Sequence, residues 1–164
     1  MALGVTLSTP DVDRVTYSRE ELEAQIHVAL GGRVAEEIVF DTVTTGAESD
    51  LEQLTRIARQ MVRRWGMSER FGPISLVSGD DAGGFPGASE VSPHTQSLID
   101  DEVQHLIDQA HQAVTALLTE HRHQLDSLAA ALLAAETLDA AGAHAAAMIP
   151  TRPAAMPNDV EVGV

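Results

Sequence analysis

The sequence predicts a mainly α protein, a helical bundle with a small N-terminal β-strand or hairpin. Two observations carry that reading. Aromatic residues make up only 3% of the chain while Ala is abundant, a composition that packs helices closely and builds sheets poorly. Apolar residues also recur at three- and four-residue spacing over most of the length, the period of a helix with one buried face.

The elements follow in order. Residues 2–9 alternate apolar and polar at Leu3, Val5 and Leu7, a short strand ending before Pro10, which Val15 and Tyr17 extend to a hairpin. Ser18 and Glu21 form an S-x-x-E capping box that opens the first long helix. Its buried stripe is Leu22, Ile26, Ala29, Leu30, Val34 and Ile38. Gly31 and Gly32 fall inside it, each costing about 1 kcal/mol relative to Ala. They imply a kink, a closely approaching backbone, or a helix–turn–helix break.

After a loop at residues 41–48, a second helix is expected from Ser49, capped by a box with Glu52. Its apolar positions are Leu51, Leu54, Ala58, Met61 and Trp65, and Arg56, Arg59, Arg63 and Arg64 crowd its C-terminal half before Gly66. Residues 72–92 are rich in Gly and Pro, and 79–91 read as a mobile loop. Ser92 and Pro93 open a third helix to about Leu118, with Ile99, Val103, Leu106, Ala110, Val114 and Leu117 as its stripe. A turn near Thr119–Arg122 leads to a fourth helix ending at Ala135, and Asp139 caps a short fifth. Pro150, Pro153 and Pro157 make residues 150–164 a disordered tail, so residues 1–149 form the single expected domain.

Composition removes several functions. Acids outnumber bases 25 to 10 for a formal charge of −15, which opposes binding to a phosphate backbone. No nucleic-acid partner is expected, and the arginines of the second helix read as a solvated face or a subunit contact. All ten bases are Arg, so a Walker-type phosphate loop and Schiff-base chemistry are excluded. Cys is absent, which leaves seven His as the nitrogen ligands and removes every thiolate. No run is apolar enough for a membrane span, and the start lacks the form of a signal peptide, so a cytoplasmic chain is expected.

No H-E-x-x-H string is present, and no G-x-S-x-G elbow supports a serine triad. His105 and His111 are six apart, His121 and His123 flank a turn, and Asp108 lies three residues from His111. A solvated helix face accounts for all of them. Asp50 stands apart because it follows a Thr-Thr-Gly loop at the first turn of a strong helix, where the dipole favours negative charge. From the residues alone, it is an acid that supports the helix start.

The stretch from Gly31 to Met67 adds a resemblance. It carries Gly31-Gly32-Arg33, Ala35-Glu36-Glu37, then Thr44-Thr45-Gly46-Ala47, Asp50-Leu51 and Thr55, and finally Trp65-Gly66-Met67-Ser68. With FGPISL, LIDDEV, LLTEHRHQL and ETLD further on, it resembles the peptidase domain of FtsH-type ATP-dependent zinc metalloproteases over essentially residues 2–140. The resemblance implies a mainly helical zinc peptidase that cuts unfolded proteins delivered by an attached ATPase ring. In that family zinc is held by the two His of H-E-x-x-H and by an Asp on a later helix, which Asp50 matches. The A-L-G-V-T segment follows the family's catalytic helix, so the expectation is a truncated domain lacking that helix, the ATPase module and the membrane anchor. Ser49 stands where the family usually has Asn.

One carboxylate cannot hold a catalytic zinc, which takes three protein ligands and an open position. The chain alone is therefore expected to be inactive, with no catalytic residue of its own. The alternative function is a non-catalytic module that joins or regulates FtsH-like subunits, or forms homo-oligomers. Glu36 and Glu37 are either supports of the metal site or helix-packing groups.

Overall fold

The protein is described here by a computed structural model that covers residues 16–77 and 91–150. The expected N-terminal strand, nearly all of the expected loop and the C-terminal tail lie outside these residues. Five helices follow one another: α1 (Arg19–Phe40), α2 (Glu48–Arg63), α3 (Pro93–Glu120), α4 (Arg122–Ala135) and α5 (Ala140–Ala146). Among the described residues there is no β-strand, so the architecture is mainly α. The chain divides within α3 into two compact units, one running up to Thr115 and one starting at Ala116.

In the first unit, α1 begins where the capping box predicts. Ser18 Oγ accepts from the Glu21 amide, and the Glu21 carboxylate accepts from the Ser18 amide at 2.8 Å. Leu22, Ile26, Leu30 and Val34 are each no more than 3% exposed, one residue per turn along a single face. They pack with α2, whose buried positions are Leu54, Ala58, Met61 and Val62. Each of these side chains larger than Ala58 contributes about 1.5–3 kcal/mol on leaving water, an upper bound because the unfolded chain is itself partly collapsed.

The glycine pair does not break α1. The helix runs through Gly31 and Gly32 without interruption, and a Cβ at either position would meet nothing within 4 Å. Tolerance of two glycines follows from the core stripe on either side, since packing outweighs propensity in a long amphipathic helix. The helix stops at Asp41, whose backbone takes the left-handed form at φ 50° while its amide bonds to the Glu37 carbonyl.

The start of α2 also differs from the sequence reading. The helix opens at Glu48 with Ala47 as N-cap and no side-chain cap bond, so Ser49 and Glu52 form no capping box. A 3₁₀ turn at Thr45–Ala47 feeds straight into the helix, which puts Ser49 inside the first turn. The cap sits one element earlier, where Thr44 Oγ1 accepts from the Gly46 amide at 3.2 Å. At the other end Trp65 is 44% exposed rather than part of the core. The α-helix ends at Arg63, and Gly66 at φ +60° turns the chain back, so that the Leu76 amide reaches the Arg63 carbonyl at 2.7 Å.

The returning segment is tied to α3 through a buried polar pair. Ser68 is 3% exposed and Glu102 8%, and Ser68 Oγ donates to Glu102 Oε1 at 2.7 Å while accepting from the Arg70 amide at 3.1 Å. Glu102 lies on the same face as Ile99 and Val103, so α3 buries an acid in its apolar stripe and satisfies it from a loop. Ser92 caps α3 as predicted, accepting from the Thr95 amide.

The second unit contains α4 and α5. Glu136 ends α4 in the left-handed conformation at φ 61°, and Asp139 caps α5 by accepting from the Gly142 amide at 2.7 Å. Ser127 Oγ donates to the Ala146 carbonyl at 2.7 Å. No residue of α4 is buried, and Leu117, expected in the stripe of the third helix, is 55% exposed.

The glycines supply a paired stability prediction. A Cβ at Gly66 would lie 2.8 Å from the Pro73 Cα with the backbone in the left-handed region. Gly66→Ala should therefore cost at least about 2 kcal/mol in urea unfolding. Gly32→Ala, in open helix, should stabilise by up to about 1 kcal/mol. Equal effects at the two sites would contradict the described turn.

Candidate functional site

The turn that delivers Asp50 is held from α1. Glu36 Oε2 accepts from the Thr44 hydroxyl at 3.1 Å and from the Thr44 amide at 3.3 Å. The same hydroxyl oxygen accepts from Gly46, so one carboxylate and one threonine fix the entry to α2. Ala47 is 8% exposed and anchors the turn against the core.

Asp50 itself is exposed on the first turn of α2, together with Glu48. It precedes Leu54 by four residues and Ala58 by eight, so it continues the core-facing register of α2 one turn ahead of the buried stripe. Placement at the helix N-terminus adds the positive end of the dipole, which favours an anionic side chain. The carboxylate is thus presented on a rigid element, in line with the α1–α2 packing.

The structure does not gather a metal site around it. Among the described residues no group of three His, Cys, Asp or Glu side chains is placed to hold an ion. Asp50 brings one carboxylate, and the described residues by themselves do not fit a catalytic zinc.

Other candidates resolve into structural roles. Glu37, one residue from Glu36, accepts from Arg33 Nε at 3.0 Å and pairs with His111 Nε2 at 2.8 Å, linking α1 to α3. His111 therefore turns to Glu37 rather than to Asp108, whose Oδ1 accepts from Gln104 Nε2 at 2.8 Å. Glu36 and Glu37 were not separable in the sequence; in the structure they serve two different contacts. The Ser68–Glu102 pair was missed there, although an acid in the apolar stripe of α3 is a signal that a buried partner is needed.

Beside the turn, a cleft of about 980 Å³ runs along α2. Its lining begins with Thr44, Thr45 and Glu48 and ends with Arg63 and Arg64.

The described residues thus form a helical scaffold that presents Asp50 at a helix start, through a T-T-G-A turn braced by Glu36 of the preceding helix. The model of Peptidase family M41 matches residues 1–145, and the chain belongs to that family. It is 58% identical over 147 residues to the ATP-dependent zinc metalloprotease FtsH 3 of Conexibacter woesei, an alignment covering 89% of this chain and 20% of that protein. The FtsH of Thermobaculum terrenum is 49% identical over 143 residues, covering 84% of this chain and 22% of the relative. FtsH 3 of Synechocystis sp. is 48% identical over 147 residues, covering 83% and 24%. The chain spans about a fifth to a quarter of the length of these curated relatives. It resembles the protease domain of the FtsH zinc metalloproteases. No helix among the described residues is long and apolar enough to cross a membrane.

The brace at the turn is testable. Thr44→Val removes the hydroxyl that donates to Glu36 and accepts from Gly46, and leaves the hydrogen bond from its amide to Glu36 in place. It should cost about 1 kcal/mol, the usual worth of such a cap, and speed hydrogen exchange of the Gly46 amide. Unchanged exchange at Gly46 would mean the turn is held by the backbone alone.

Proposed function

We propose that this chain is the C-terminal part of an FtsH-type peptidase domain and that Asp50 is its contribution to the zinc site. The observation that carries the reading is the position of Asp50: exposed, on a helix start braced by Glu36 and Thr44, and matching the Asp of the family pattern. A catalytic zinc needs three protein ligands with a position left for water. The 164 residues contain no H-E-x-x-H, so the two imidazoles and the general-base Glu must come from elsewhere. Alone, the chain does not cleave peptides. Completed, it acts on unfolded protein substrates in an assembly of FtsH-like subunits in the cytoplasm.

A second reading has its own support. Val28 is 80% exposed on α1, and beside it the glycine pair leaves the helix backbone open. Such a face suits a module that docks on a full-length FtsH-like subunit without catalysis. Co-purification with that subunit, with no zinc or cleavage contributed by this chain, is its expected outcome.

The experiment joins to the N-terminus the H-E-x-x-H-bearing segment of one of the relatives. The joined protein should bind about one zinc per chain and cleave casein, whereas the 164-residue chain alone should do neither. Asp50→Asn in the joined protein should lower zinc affinity and cleavage by at least about 100-fold, since even outer partners of a ligand cost 10–100-fold. Undiminished zinc binding by that variant, or zinc-dependent cleavage by the chain alone, would overturn the proposal.

A further inference from the structure

The cleft along α2 has a charge distribution that helix physics leaves unexplained. Its lining follows one stripe of the helix, distinct from the face that carries Asp50, Leu54 and Ala58. Glu48 and Glu52 flank its first part and Arg56, Arg59, Arg63 and Arg64 its second, with Leu51, Thr55 and Val77 between them. Arginines in the last turn complement the negative end of the dipole, which accounts for Arg63 and Arg64. It does not account for Arg56 and Arg59, which stand in the middle of the helix. Like charges three and four residues apart also repel one another.

Three of these four cations have no internal partner among the described residues. Arg56, Arg59 and Arg64 are exposed, and among the described residues none of them makes an ion pair or a side-chain hydrogen bond. Three arginines outside the cleft are paired: Arg19 with Glu23, Arg33 with Glu37 and Arg122 with Asp126, each four residues apart. Glu52 and Arg56 have that same spacing, yet they stay separate. In a chain carrying −15, Arg56, Arg59 and Arg64 along one cleft, without an ion pair among the described residues, are a local reversal of sign.

We propose that the arginine-lined half of this cleft is a docking site for acidic stretches of polypeptide. The arginine-lined half, about 12 Å from Arg56 to Arg64, matches about four residues of extended chain. Guanidinium groups at three- and four-residue spacing suit carboxylates, which they bind in a bidentate fashion. The apolar floor suits side chains between those carboxylates. A continuous phosphate backbone fits less well, because Glu48 and Glu52 and the overall charge repel it. The inference deepens the reading above, resting on it for the identification of the acidic stretch as substrate. The arginine-lined half begins at Arg56, about 9 Å along the axis from Asp50, so an acidic stretch docked there lies on the same rigid helix as that carboxylate.

The test is fluorescence anisotropy with the 164-residue chain and a labelled peptide of about eight residues alternating Glu with Leu. The same peptide with Gln for Glu, and an oligothymidylate of equal length, serve as competitors. The acidic peptide should bind at least about 10-fold more tightly than its Gln counterpart at low salt, and weaken as salt is raised. Combined Arg56→Gln, Arg59→Gln and Arg64→Gln should remove that preference, while Arg70→Gln, outside the lining, should keep it. Circular dichroism reports whether the triple variant stays helical, and Arg59→Gln alone, expected to lose part of the preference, replaces it if it does not. Equal binding of the Glu and Gln peptides, binding unaffected by the triple variant or by its single-site replacement, or preference for the oligothymidylate would overturn the proposal. The readout needs neither zinc nor cleavage, so its failure is separable from failure of the peptidase reading.

Discussion

The contact on which the first unit depends is the packing of α1 with α2. Four residues of α1 spaced one turn apart, Leu22, Ile26, Leu30 and Val34, are matched by Leu54, Ala58, Met61 and Val62. Ala58 is fully buried, and its small side chain lets the helices approach where a larger one would hold them apart. Once these stripes engage, the short link between the helices has little freedom left. The left-handed Asp41, the Thr44 cap and the 3₁₀ turn are the local adjustments that complete it.

Polar ties then fix what apolar packing leaves loose. Hydrophobic burial is non-directional and sets no unique orientation of a loop or helix end. Three acids supply direction, each in a different place. Glu36 holds the turn before α2, Glu37 meets His111 of α3, and Glu102 receives the Ser68 hydroxyl from the segment after α2. Two of them are adjacent in α1 but project about 100° apart, so one helix end braces both a loop and a second helix.

Local signals in the sequence were the ones that could be read. The Ser18 box, the Ser92–Pro93 start of α3 and the Asp139 cap of α5 each involve residues at most three apart. The buried stripe of α1 was legible because its period is regular. Ser49 and Glu52 have the spacing of a capping box and so predict a start at Ser49, whereas the chain already enters a helical turn through Thr45–Ala47. Trp65 continues the apolar periodicity of α2 in sequence, but the helix ends at Arg63, ahead of it. The three acidic ties span 8, 74 and 34 residues, separations that no local pattern encodes. Asp50 stands out in the sequence by its place at a helix start after a Thr-Thr-Gly loop, and the motif adds weight to it; its extension of the core register beyond the core is visible only in the structure.

That register also explains how one short helix serves two purposes. Asp50 belongs to the face of α2 that continues toward α1, and the arginines belong to the stripe that lines the cleft. A helix rotates 100° per residue, so neighbours in sequence are directed to separate surroundings while sharing one rigid axis. Displacing α2 would move the carboxylate and the cleft together. The brace from Glu36 to Thr44 therefore bears on both, since it fixes where the axis begins. A carboxylate on a flexible loop would lack that constraint. The economy of the arrangement is that the α1–α2 core, required for folding in any case, also sets the position of the carboxylate.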